Sequence, residues 1–221
     1  MKSILIAFFS FIMMQSFAQA IPEKYNFDYF TVYDYKKSEK ETLVSTKELN
    51  YSNSKDSSYV LQVRLENNIA TKIVLVDFKN LKTYEFEENK NVTDYSDVGF
   101  LKVKTNYDYS LKSCLKKSKT VYAVDYKNQS SGSIVINLFK NQDRKKVVNE
   151  CVVETMPSEI ATNQHYNFSP LINPLWCNKF VLKNKEVIKI SYFVRKGKKE
   201  HIRKLEEISK IEFTLTVDST I

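Results

Sequence analysis

Tyr59-Val60-Leu61-Gln62-Val63-Arg64-Leu65-Glu66-Asn67-Asn68-Ile69-Ala70-Thr71-Lys72-Ile73-Val74-Leu75-Val76-Asp77 decides the fold class. In its first half Tyr59, Leu61, Val63 and Leu65 alternate with Gln62, Arg64 and Glu66. Successive side chains on a strand point to opposite faces, so this alternation reads as a half-buried strand. The second half carries the apolar run Ile73-Val74-Leu75-Val76. Between them stands Asn67-Asn68, and asparagine tolerates the positive φ that a two-residue type I′ turn requires. The stretch predicts a tight antiparallel hairpin made of residues 58–66 and 69–77.

The same period continues on both sides. Upstream, Tyr25, Phe27, Tyr29, Tyr33 and Tyr35 occupy odd positions with Asn26, Asp28 and Asp34 between them, which reads as a strand with one aromatic face. Thr42 to Tyr51 is a further strand candidate. Downstream, alternation recurs in Thr83–Glu87, Gly99–Thr105, Tyr107–Leu115, Thr120–Tyr126, Ser133–Lys140, Lys146–Thr155, Lys179–Leu182, Glu186–Arg195 and Ser209–Val217. Arg195 to Lys198, with Gly197, reads as a turn. Lys199 to Ile208 is ambiguous: its composition suits a helix and its position suits a strand. The expected fold is all-β, an antiparallel meander of about ten to twelve strands, too many for a small flat sheet. It should form a strongly curled sheet or half-barrel with few short helices.

Residues 1–20 point to an address. Lys2 precedes the apolar run Ile4–Met14, and Ala18-Gln19-Ala20 follows it. That order is the pattern of a cleaved secretory signal. The run is shorter than the ~20 apolar residues that a membrane-spanning helix needs. The expectation is a signal peptide over 1–20, a single β domain over 21–221, a secreted or periplasmic location and no transmembrane segment after cleavage. No cysteine follows the cleavage region to carry a lipid anchor.

The chain carries 34 Lys+Arg against 26 Asp+Glu, a net charge of +8. Its basic clusters, Lys116-Lys117, Lys145-Lys146 and Lys196 to Lys199, fall at turns rather than on one arm or helix. Solvated turn lysines account for them, and no nucleic-acid partner is expected. Gly99, Gly132 and Gly197 are the only glycines. That scarcity excludes the usual phosphate-cradling loops, dinucleotide fingerprints and nucleophile elbows. No cofactor or metal is expected, because His165 and His201 are the only histidines and the cysteine spacing matches no zinc pattern. Cys114, Cys151 and Cys177 permit one disulfide in an oxidising compartment. The pair expected is Cys151–Cys177, which would tie a long loop to the strand before it.

That loop is the one break in the strand pattern. Ile160 to Asn178 has no Asp, Glu, Lys or Arg, yet it holds Pro170, Pro174, His165 and the lone Trp176. Uncharged long loops are often lids or binding loops. If it covers a cavity, Trp176, Phe168 and His165 would meet a ligand, with Tyr29 and Tyr33 lining the same space. For catalysis, Cys177 or a serine beside His165 (Ser158 or Ser169) is a candidate nucleophile, but neither lies in a positioning motif. Glu87-Glu88 and Glu206-Glu207 are adjacent in sequence and so face opposite sides of a strand. Asp94 and Asp97 lack calcium-loop spacing.

The run Ile73-Val74-Leu75-Val76-Asp77-Phe78-Lys79-Asn80-Leu81-Lys82-Thr83-Tyr84, with the aromatic first strand, resembles the secreted GLPGLI-type β proteins of Gram-negative envelopes. Those are similar in turn to the LolA-like lipoprotein carriers. The resemblance covers residues 25–90, and Phe168-Ser169-Pro170-Leu171-Ile172 stands in the place of the naming motif without either glycine. It implies a curled sheet and an envelope location rather than an activity. The leading expectation is a binding protein for an apolar or lipid-like ligand, or for an envelope protein partner. A structural or interaction module without a small ligand is the alternative, an uncharacterised hydrolase comes third, and an outer-membrane barrel fourth.

Overall fold

The computed structural model describes residues 23–41, 45–77, 79–80, 82–86, 90–97, 101, 103–107, 123–128, 133–139, 143, 145, 147–160 and 185–217. These form β1 (Glu23–Ser38), β2 (Thr46–Ser52), β3 (Tyr59–Glu66), β4 (Ile69–Asp77), β5 (Lys82–Phe86), β6 (Lys90–Asn91), β7 (Val103–Tyr107), β8 (Ala123–Asn128), β9 (Ser133–Phe139), β10 (Val147–Pro157), β11 (Glu186–Arg195) and β12 (Lys198–Val217). No helix occurs among the described residues. All twelve strands belong to one antiparallel sheet, ordered β7-β5-β4-β3-β2-β1-β12-β11-β10-β9-β8, with β6 beside β4. The path is open, because β7 and β8 stand at its ends without pairing to each other. The chain meanders outward from β1 to β5, then returns inward from β8, so that β1 and β12 pair at the centre.

The β3–β4 hairpin forms as the alternation predicts. Glu66 pairs with Ile69, and Asn67 and Asn68 sit at φ 52° and 65°. Arg195 pairs with Lys198 around Lys196 and Gly197, both at positive φ. The ambiguous segment Lys199–Ile208 is strand, part of β12. Pairing with β1 on one side and β11 on the other satisfies its backbone, and this outweighs its helix-like composition.

The single aromatic face expected of β1 does not exist. Its register with β12 breaks between Phe27↔Phe213 and Tyr29↔Lys210. Before the break Tyr25 and Phe27 face the larger core; after it Phe30 and Val32 do. Inward positions change from odd to even there. Tyr33 enters a second core with Ile136, Cys151, Val153, Ile188 and Phe193. β1 is thus buried on both faces, with no exposed residue from Tyr29 to Tyr33.

On the first face, Leu49, Tyr51, Leu61, Val63, Ile73, Leu75 and Tyr84 pack with β1. The cover among the described residues comes from the chain after β6: Val92, Tyr95 and Leu101 pack on this core. Val92 N–H donates to Asn68 C=O at 2.8 Å, and Tyr51 Oη–H donates to Tyr95 C=O at 2.8 Å. At one end Tyr25 Oη–H faces both Glu23 (2.5 Å) and buried Asp77 (2.9 Å), while Tyr84 Oη–H donates to Glu23 at 2.7 Å and Lys82 pairs with it at 2.5 Å. Burial acts to raise the Glu23 carboxyl, but the hydrogen bonds from Lys82, Tyr25 and Tyr84 together bring it below its usual range.

The expected Cys151–Cys177 bridge does not form. Cys151 is a free, fully buried thiol whose side chain points into the second core, and burial pushes its pKa up to about 12. Cys114 and Cys177 lie outside the described residues, as do residues 1–22, where a signal peptide is expected over 1–20, and residues 161–184.

Candidate functional site

The strand period that fills the first face with apolar groups sends their neighbours to the other. Glu48 and Asn50 on β2, Gln62 and Arg64 on β3, and Lys72 and Val74 on β4 alternate with core residues. Register then aligns them: Glu48 opposes Arg64, which opposes Lys72, and Asn50 opposes Gln62, which opposes Val74. Tyr35 of β1 and Arg203 of β12, themselves paired, stand beside this row, two residues along β1 from Tyr33, which opposes Glu48. Together these side chains line a half-open furrow of about 170 Å³, with Leu49 and Val63 contributing to its floor.

Three cationic side chains and one carboxylate line this furrow. Arg203 is 7% exposed. Its guanidinium reaches across β1 to Glu48: Nε pairs with Oε2, and Nη2 donates to Oε1 at 3.3 Å. Tyr35 lies between the two arginines, with the Arg64 guanidinium 4.5 Å and the Arg203 guanidinium 5.3 Å from its ring centre. Such cation–π contacts contribute roughly 0.5–2 kcal/mol each and fix the guanidinium planes. The Tyr35 hydroxyl meets His201 Nδ1 at 2.7 Å. Burial, then the Arg203 charge, hold the His201 pKa below its ordinary value, so this ring is neutral at pH 7.

Hydrogen-bonding capacity is left over. Arg203 Nη1 and Arg64 Nε are buried without a hydrogen-bond partner, although Glu66 approaches Arg64 Nε at 3.9 Å. A buried donor left unmade costs about 1–3 kcal/mol, more when charged. Polar Gln62 and Asn50 bond each other across the furrow at 3.0 Å.

Tyr29 and Tyr33, singled out from sequence, do not line the furrow. Tyr29 and Tyr33 are core side chains, 0% and 1% exposed, and the Tyr33 hydroxyl donates to Ile188 C=O at 3.1 Å. Trp176, Phe168 and His165 lie outside the described residues, so the geometry does not bear on them. No group of three or more His, Cys, Asp and Glu is placed to hold a metal ion among the described residues. Asp94 is held below its ordinary pKa by hydrogen bonds from Ser96, side chain first and backbone second, so its carboxylate is engaged in a local turn. No described helix is long and apolar enough to cross a membrane. The furrow carried one legible signal. The chain has only four arginines (Arg64, Arg144, Arg195 and Arg203), and two of them meet here. No protein-family model matches the chain, and no curated protein matches it.

Proposed function

We propose that this chain is an exported binding protein that takes a small ligand, or a protruding group of an envelope partner, in the furrow across β12, β1, β2, β3 and β4. The observation that carries this reading is the buried Arg203 guanidinium, which belongs to a residue lining the furrow and keeps a buried N–H without a partner. A fold that only needed a filled interior would lose nothing by placing apolar side chains there, because a buried ion pair is often no more stable than apolar residues of similar volume and an unpaired buried N–H adds a further cost. A ligand that accepts from Nη1 removes that cost. The curled or half-barrel form of the sheet is part of this proposal. Its support is the Tyr25–Tyr84 ring contact at 6.2 Å, made between strands separated by three others in the sheet. On a flat sheet that separation is about 19 Å, from about 4.8 Å per strand.

Native mass spectrometry of the mature chain purified from its own envelope tests the reading. The expected result is a non-covalent adduct, with backbone amides of residues 48–50, 62–64 and 72–74 shifting in NMR when the ligand is removed. No adduct, with identical spectra before and after extraction, refutes a binding role. A lipid adduct that shifts Trp176 fluorescence and leaves those amides unmoved would favour the second reading, an apolar carrier covered by residues 160–178. The lone tryptophan in that uncharged segment supports this reading.

A further inference from the structure

We infer that the furrow recognises an oxyanion, the carboxylate or phosphate of a small organic compound; this rests on the binding reading above. Three features converge on that class. The first is charge. Arg203, Arg64 and Lys72 face one lining carboxylate, Glu48, so positive charge remains in excess even with Glu66 at the rim 3.9 Å from Arg64. The second is donor geometry. Arg203 spends Nε and Nη2 on Glu48 and keeps Nη1, while Arg64 keeps a buried Nε. Guanidinium N–H groups donate and never accept, so whatever completes them supplies lone pairs. Charge-assisted bonds to an anionic oxygen are about twice as strong as neutral ones. The third is preorganisation. Tyr35 stacks against both guanidinium groups, so little side-chain freedom is lost when a ligand arrives.

Volume limits the ligand's size. A cavity of about 150 Å³ holds one benzene ring, so the furrow's about 170 Å³ admits on the order of six non-hydrogen atoms. An acidic group and its first few carbons fit inside, and the open side leaves the end of a hexanoate-length tail in solvent; a whole acyl chain does not fit. Val74, the one lining side chain on this face that is apolar, gives those carbons a surface to rest on. A cation is disfavoured by the excess charge, and a neutral amide or sugar would leave that charge uncompensated.

The test is titration of the mature chain at low ionic strength, followed by NMR, with inorganic phosphate, hexanoate, the neutral isostere hexanamide, and phosphatidylglycerol-containing phosphatidylcholine vesicles. The expected result is saturable shifts at residues 48–50, 62–64 and 72 with phosphate or hexanoate, and at least tenfold weaker binding of hexanamide. Lys72→Glu changes an exposed residue, so its melting temperature should stay near wild type while anion affinity drops at least tenfold. Arg203→Lys keeps the charge but removes the fork and should weaken binding comparably. If that variant does not fold, the Lys72→Glu result decides alone. Saturation by phosphate and hexanoate alike indicates a free oxyanion site, hexanoate alone an organic acid, and vesicles alone a lipid headgroup; each supports the inference. Hexanamide binding as tightly as hexanoate, or Lys72→Glu binding anions as wild type does, overturns it while leaving a binding role intact. No response to any charged probe also overturns it. A native adduct would then keep the binding role, and the absence of one would remove both.

Discussion

Replacing Glu48 with glutamine should destabilise the protein far more than an ordinary surface change, because of what it leaves behind. Arg203 is 7% exposed, and its Nε and Nη2 are satisfied by the Glu48 carboxylate alone. The variant keeps the shape and removes the charge, so a buried guanidinium faces a neutral amide. Removing one partner of a buried pair costs about 3–5 kcal/mol. The Glu48 side chain is 19% exposed, so water softens the loss, and about 2–4 kcal/mol is the expected range. For a domain of this size that lowers the melting temperature by roughly 4–16 °C, at about 2–4 °C per kcal/mol. The double variant Glu48→Gln/Arg203→Met removes both charges. It should recover most of the stability, since apolar replacement of a buried pair is often neutral. Urea unfolding followed by circular dichroism measures all members of the cycle. A Glu48→Gln loss under about 1 kcal/mol, or a double variant no more stable than Glu48→Gln alone, would refute the claim that the pair holds a buried charge.

The Asn67-Asn68 turn, the Cys151 thiol and His201 give three further expectations. Asn68 sits at φ 65°, so Asn68→Gly should be neutral or stabilising while Asn68→Val costs on the order of 1 kcal/mol or more; equal stability of the two would contradict the turn. The Cys151 pKa is raised from 9.0 to about 12, so the native state favours the neutral thiol. Its contribution is intact below pH 9 and declines as the pH rises toward 12, and modification by iodoacetamide at pH 8 should require unfolding; rapid labelling of this residue in the native protein would count against its burial. The His201 pKa is lowered by burial and by Arg203, so the native state favours the neutral ring. That contribution is present above the unfolded value near 6.5 and is lost on acidification, so His201→Gln should flatten the fall in melting temperature between pH 7 and pH 5. An unchanged slope would show that other groups set it.

Strand content, and the pairing of strands joined by a tight turn, were readable wherever one face of a strand is polar. Tyr59–Glu66 alternates cleanly, and a one-residue slip would have put Leu61, Val63 and Leu65 into water, so the β3–β4 register follows from the pattern and its turn. β1 was read less well for a definite reason. Phe30 and Val32 break the odd-position rule, and this was the visible sign that both faces of the strand are buried. Alternation assumes one wet face, and it cannot say where a register break exchanges the two.

The furrow was hidden for a different reason. Glu48, Arg64, Lys72 and Arg203 are ordinary solvent-facing letters on four separate strands, up to 155 positions apart in the case of the Glu48–Arg203 pair. Sequence determined that Glu48, Arg64 and Lys72 lie opposite core positions on their own strands, because side chains alternate. It determined the two-residue turns as well, because only certain residues accept positive φ. Which strands become neighbours was decided by the tertiary structure, through the central pairing of β1 with β12. That pairing brings Arg203 beside Tyr35 and within reach of Glu48, and so turns scattered charges into one site. Local patterning acts over a few residues, whereas the electrostatics of a site depend on distances that only strand order sets.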